Sequence, residues 1–496
     1  MKKNALLLCY IFLCSSLTWG QSFNLNVTNG YGGGTYFEGD TVYIWSIPEY
    51  QNFSFDGWQG SATNYMLEQN EWLTRIFIPQ NSNIGAINAD ASFTDLTSSV
   101  NIGMQIITLP GINNGIQNTS PIDIYYQIPN NPIGIIFCFH GTGGSGASFE
   151  NDFEKRSFFK AGAKRNYIMI ATDANEKTNG DQDGNGKLRW EINDPLNDDE
   201  INNIDIKLIK ALKDSIINRY NLPLDFPAFA MGVSNGANFA DLCAAALQFN
   251  ASAHMTGNGH YDIYANRVDA TPVIFVQSEN DQHPSADPII AINNHSTLIN
   301  RGISSEFYWH RKTPVYSKRF IRTIDLLITP VISDSIFQRM VNTPMLLDSD
   351  NKLLIQNNLD LPTNLFTGLG LSSGSITNCE SQIKIMNADH KFHSHYNNRI
   401  IDFYDLHLNN TTSISDYEKN IFALVFPNPS NDIFNIQFDS SYNTNISVTN
   451  IVGNIIYHEK SDDIKKTIDL SQYAKGIYNL SITTTHSVNN YMLILQ

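Results

Sequence analysis

Ser234 stands in the run Gly232-Val233-Ser234-Asn235-Gly236, after an apolar stretch, Phe226–Met231, and before a small-residue segment, 237–246, of helical character. A serine between glycines on a strand–turn–helix path is lifted above the sheet on a tight turn, placed to attack a carbonyl. Five residues of pattern arise by chance in long chains, so the weight rests on what accompanies them. Upstream, the apolar run Ile133–Phe139 leads directly into His140-Gly141-Thr142-Gly143-Gly144. Such a turn leaves backbone N–H groups free to face a developing oxyanion, and Thr142 and Asn235 are the expected amide donors. His140 is expected to brace the turn. The same turn lacks the G-K-[ST] ending of a P-loop and fits a dinucleotide fingerprint only by shifting frame, so nucleotide binding is the weaker reading.

A hydrolase of this kind orders its triad as serine, acid, histidine. Val273–Gln277 reads as a strand after the serine, and Ser278-Glu279-Asn280-Asp281 follows it. Asp281 is the expected acid, which would accept the imidazole N–H and fix its tautomer; Glu279 is its competitor. Ile383–Met386 reads as a short late strand leading to Asn387-Ala388-Asp389-His390, which makes His390 the expected base. With His393 and His395 it forms an H-x-x-H-x-H spacing that would permit a metal. No partner cysteine or acidic pair accompanies it, and no cofactor is expected. His260, His283 and His310 read as incidental. Asp181, Asp183 and Asn185 match the first half of a calcium loop, but Ile192 holds the twelfth position where a glutamate belongs. A plain turn is the first reading there and a structural calcium the second.

The elements that must hold these residues are those of an α/β sheet. Between 97 and 412, apolar strands (133–139, 167–171, 226–231, 271–277) alternate with helical stretches such as 204–217 and 399–407. Residues 300–378 are too long for a simple connection and read either as an insertion over the site or as ordinary extra helices. Residues 22–96 carry short alternating strands separated by glycine-rich turns, an all-β module that serves as a spacer or a binding unit. From Phe426 a second run of short alternating strands continues to the chain end, giving a β-sandwich over 418–496. Residues 1–20 have the basic start, apolar stretch and small-residue end of a secretory signal peptide, with cleavage expected after Gly20. No later segment is long and apolar enough for a transmembrane helix. The remaining cysteines, Cys138, Cys243 and Cys379, allow either a Cys243–Cys379 disulfide with one free thiol or three buried thiols. A net charge of −16 over 496 residues argues against nucleic acid as a partner.

Three resemblances follow from these segments. The order V-T-N-G-x-G-G-G-T-Y, F-D-G-W and a last strand ending in Ala91-Ser92-Phe93 resembles the InlB B-repeat-like modules of bacterial surface proteins. The P-N-P-S opening at 427–430, the strand–turn–strand at 448–456 and L-S-Q-Y-A-K-G-I-Y-N-L at 470–480 resemble the C-terminal sorting domain of type IX secretion substrates. That resemblance implies export across both membranes by the type IX machinery, and then release or surface attachment. The core is similar to the polyhydroxybutyrate depolymerase and feruloyl esterase group of α/β-hydrolases. His140-Gly141, Arg189-Trp190, Tyr220-Asn221-Leu222-Pro223, Met231–Gly236 and Asp281 before a proline carry the likeness. The family's base follows a glycine, whereas Asp389 precedes His390 here. The resemblance implies a secreted serine esterase, acting on acetyl or feruloyl esters of plant polysaccharide or on a polyester. Its rivals are a serine peptidase on the same fold and an inactive glycan-binding surface protein.

Overall fold

The computed structural model describes residues 21–496 apart from 81, 101–104, 116, 183, 356–360, 363, 409–422, 429, 439–443, 451–452 and 484–487. The expected signal peptide, Asp183 and the segment before the C-terminal module therefore lie outside the described residues.

Eight strands form the central sheet: β1 (Gln105–Leu109), β2 (Ile122–Gln127), β3 (Gly134–Phe139), β4 (Tyr167–Thr172), β5 (Ala228–Val233), β6 (Ala251–Met255), β7 (Val273–Ser278) and β8 (Ser305–His310). Their spatial order is β1-β2-β4-β3-β5-β6-β7-β8, and only β2 runs against the others. Every residue of β3, β4, β5 and β7 is buried. Helices cover both faces, so these strands read as continuous apolar runs rather than alternating ones. Seven helices matter for the site: α1 (Phe153–Lys164), α2 (Ile204–Tyr220), α3 (Asn235–Ala246), α4 (Pro288–Asn300), α5 (Pro330–Val341), α6 (Ser373–Met386) and α7 (Asn397–Asp405). On one face Ile135, Phe137 and Phe139 pack with Leu208 and Leu212 of α2 and Phe239 of α3. On the other, Ile136, Phe229 and Met231 pack with Phe158 of α1 and Ile400 and Phe403 of α7. The core is an α/β-hydrolase sheet between two small all-β units.

The strand order reverses between β3 and β5. The chain leaves β3 for β4 on one side and leaves β5 for β6 on the other. In open α/β sheets this switch point opens a crevice at the carboxyl ends of the strands. The His140 turn follows β3 and Ser234 follows β5, so both border it.

Two expectations change. Residues 383–386 are not a strand; they are the last turn of α6, capped at its start by Ser372 Oγ, which accepts the Ser375 N–H. Ser375, Cys379, Ile383 and Met386 are buried at helical spacing, a pattern that a four-residue window hides. The 300–378 stretch begins with β8, then builds a helical unit with its own core, including Val315, Phe320, Ile336, Met340, Leu365, Cys379 and Ile383. All three described cysteines are buried and free. Cys243 and Cys379 sit in different cores, which removes the disulfide.

The N-terminal unit has two sheets and is seated on the hydrolase core, so it is no detached spacer. Trp72 is fully buried, and its Nε1 donates to Ser394 O and Oγ, both at 3.0 Å. The Arg322 guanidinium lies 3.5 Å from the Trp72 ring centroid. Beneath it, Glu154 accepts from Arg322 Nε at 3.2 Å and Gln382 Nε2 at 3.1 Å. Burial opposes the charge of Glu154, but Arg322 and Arg319 outweigh it and hold the carboxyl down to about 2.

Candidate active site

Both glycines of the serine turn are dictated by close packing. A Cβ on Gly232 would lie 2.0 Å from Gly236 O, and one on Gly236 would lie 2.5 Å from both Phe139 O and His140 O. With no side chain at either position, the first turn of α3 presses against the end of β3. Ser234 itself takes φ 57° and ψ −122°, a backbone state costly for a residue with a Cβ and typical of a strained functional turn. Its N–H donates to Met255 O at 3.0 Å, which ties the turn to β6.

Asn235 opens α3, where backbone N–H groups lack intrahelical acceptors and the helix dipole favours negative charge. Its side chain grips the Trp190 backbone: Trp190 N–H donates to Oδ1 at 2.9 Å, and Nδ2 donates to Trp190 O at 3.3 Å. Trp190 Nε1 in turn donates to His140 O at 2.9 Å. The buried Trp190 ring, stacked 4.8 Å from Phe239, thus joins the two turns that flank the crevice. Thr142 lies on the exposed side of its turn, one residue from Gly141, where a Cβ would sit 3.3 Å from Ser234 Cβ. Neither the Thr142 nor the Asn235 amide has an acceptor among the described residues. Both remain available to an oxyanion.

His140 braces this turn from inside. Ala174 N–H donates to Nε2 at 3.1 Å, so Nδ1 carries the proton and donates to Gly141 O at 2.8 Å. Burial pushes its pKa down to about 4.

Asp281 and His390 come together from segments 109 residues apart, with Asp281 Oδ2 2.7 Å from His390 Nδ1. The acid side chain is fully buried and the imidazole 24 % exposed. The other carboxylate oxygen accepts the His283 N–H at 2.9 Å. Asn280 N–H donates to Ala388 O at 3.0 Å, stitching the β7 loop to the histidine loop. Glu279 turns away, towards Arg311 at 3.4 Å and the Lys312 amide. No hydrogen bond joins the Ser234 hydroxyl to His390 among the described residues, a contact that often tightens only with substrate bound.

Sequence reasoning passed over His283 and His310. His283 stacks on His390, with ring centroids 4.5 Å apart and planes 22° off parallel. Its position two residues after Asp281 was the available signal. His393 and His395 do not join His390; they group with His310. His260 bonds Asp241 of α3, with Nδ1 3.3 Å from Oδ1. In the 179–186 loop, Asp181 Oδ1 accepts the Gly184 and Asn185 amides at 2.9 and 3.2 Å, the arrangement of a closed turn.

Comparisons with known proteins add the following. Residues 424–496 match the family of secretion system C-terminal sorting domains. That tail marks the chain for export, to the cell surface or beyond. No curated protein sequence matches the chain. Among solved structures, an esterase of Pyrobaculum calidifontis is similar at 14% identity and TM-score 0.29, covering 42% of this chain and 75% of that one. A dienelactone hydrolase from Anabaena variabilis is similar at 16% identity and TM-score 0.31, covering 42% and 87%. An α/β serine hydrolase without a lid from Xanthomonas campestris is similar at 14% identity and TM-score 0.28, covering 42% and 85%. The fold is given by the strand order itself. Among the described residues no helix is long and apolar enough to cross a membrane. What the chain shows is an α/β-hydrolase core joined to an export-sorting tail.

Proposed function

We propose that the protein is an exported serine esterase. Ser234 attacks the ester carbonyl as His390 takes its proton. Asp281 holds the imidazole in the tautomer whose Nε2 faces the serine, and stabilises the imidazolium that forms. The amides of Thr142 and Asn235 receive the oxyanion. His390 then protonates the leaving alcohol, and a water activated by the same imidazole releases the acid. The observation that carries this reading is the 2.7 Å contact between Asp281 and His390 at the carboxyl ends of the strands, where Ser234 also stands.

The resemblance of Met231–Gly236, Arg189-Trp190 and Asp281 to the depolymerase and feruloyl esterase group supports an ester rather than an amide substrate. It points to acetyl or feruloyl esters of plant polysaccharide, or to a polyester. The test is turnover of p-nitrophenyl acetate and methyl ferulate beside a peptide p-nitroanilide. Ester cleavage lost in Ser234→Ala is expected; cleavage of the anilide alone would make the enzyme a peptidase, and no turnover of any would end the proposal.

A further inference from the structure

His310, His393 and His395 converge in a part of the molecule the ester reading does not use. His310 ends β8, and the other two lie in the loop between His390 and α7. All three are buried, and each offers a ring nitrogen such that the three atoms lie within 4.8 Å of one another. The His310 and His393 rings stack with centroids 3.8 Å apart. His310 and His395 meet through their Nδ1 atoms, 3.0 Å apart.

The hydrogen bonding leaves lone pairs over. His310 Nε2 lies 2.8 Å from Ile385 O, which only an N–H can satisfy, so a neutral ring turns an unprotonated Nδ1 to the cluster, where it accepts the His395 Nδ1–H, a contact that a metal ion would replace. Both nitrogens of His393, and Nε2 of His395, have no partner among the described residues. All three rings are buried, at 5% exposure or less. Buried, unpartnered, neutral imidazoles are costly unless something accepts their lone pairs.

We propose that His310, His393 and His395 bind a transition-metal ion of the zinc class. Three imidazole nitrogens suit zinc, cobalt or nickel rather than magnesium or calcium. The bond from His310 to Ile385 O is the outer contact that fixes the tautomer of a metal-binding histidine. A cavity of about 70 Å³, lined by His310, His395, Tyr43, Arg75, Trp309 and Tyr396, reaches the cluster and supplies access. Arg319 and Arg322 face the site and share one carboxylate, Glu154. The surroundings are therefore net positive, which opposes any cation, so the three nitrogen–metal bonds must outweigh that repulsion. The ion would fasten β8 to the loop that carries His390, next to the seat of the N-terminal unit, where Trp72 meets His395 edge-on at 5.0 Å.

The full chain without a polyhistidine tag decides this, by elemental analysis after exposure to zinc and gel filtration. Retention of about one zinc per chain is expected, with loss of at least about tenfold in His393→Ala and His395→Ala. Cobalt loading should give the visible absorption of a nitrogen-ligated ion, and a chelator should lower Tm. Wild-type protein that retains no zinc, shows no cobalt absorption and keeps its Tm on chelation would overturn the proposal and leave a cluster satisfied by buried water. If the variants fail to fold, zinc retention, cobalt absorption and the chelator response of the wild-type protein decide between the two.

Discussion

His283 lies face to face with His390, its ring centroid 4.5 Å away, while its backbone N–H donates to Asp281. One residue therefore touches both the proposed base and the acid that orients it. The stacked ring limits how far His390 can swing and lies against the imidazolium that forms during the reaction. Burial, then the neighbouring His390, lowers the His283 pKa, which favours its neutral ring. His283→Ala is expected to lower kcat by about 3- to 10-fold with KM little changed, the scale of one aromatic contact. His283→Phe should recover most of the loss. Equal activity in wild type and His283→Ala would show the stacking to be without consequence.

The two acidic candidates behind β7 are separated by their contacts. Asp281 faces His390, whereas Glu279 faces Arg311. Asp281→Asn should cut kcat by on the order of 10³ to 10⁴, since an amide can present its N–H to Nδ1 and favour the wrong tautomer. Glu279→Gln should stay within about 2-fold, the change of a surface ion pair. Steady-state kinetics on one ester substrate compares them.

The sheet was legible in the sequence because strands buried on both faces carry uninterrupted apolar runs, such as Gly134–Phe139 and 273–276. Asp281 was picked out by the strand it follows, whereas His390 was picked out as the histidine after a strand at 383–386 that is in fact the last turn of α6. β8 was not, since five of its six residues are only half-buried at the sheet edge. α6 was missed because its last four residues alternate in polarity while its buried stripe spans 375–386. The contacts of His283 with His390, and of His310 with His393 and His395, join residues 83 to 107 positions apart in the chain. No local periodicity encodes them. The seating of the N-terminal unit through Trp72 is likewise a matter of tertiary packing.

That seating makes a stability prediction. Trp72→Ala should cost about 3–5 kcal/mol, by emptying a buried site and uncovering the Arg322–Glu154 pair. Phe53→Ala, on the same unit at a side chain 42% exposed, should cost under about 0.5 kcal/mol. Urea unfolding followed by tryptophan and backbone signals measures both. Similar costs for the two would mean that the N-terminal unit unfolds apart from the core.

Acid should weaken the fold in a defined window. Burial holds His140 and His254 at about 4, below the 6.5 of an exposed histidine. The unfolded chain therefore binds protons first as pH falls, so their contribution is complete above about 6.5 and lost towards about 4, by about 3 kcal/mol for His140 alone. Glu154, held at about 2 against an ordinary 4.5, extends the loss below that window. Calorimetry should show Tm falling below about pH 6.5, by less than the histidines alone would give because Asp205, held up at about 7 by burial, gains stability over the same window. A Tm constant down to about pH 4 would contradict these assignments.

The central claim is that Ser234 is an activated nucleophile, and covalent labelling tests it most directly. Incubated with a fluorophosphonate, the intact chain should gain one adduct by mass spectrometry, mapped to the peptide containing Ser234 and absent in Ser234→Ala. No adduct on the wild-type protein, or an adduct that persists in Ser234→Ala, would contradict it.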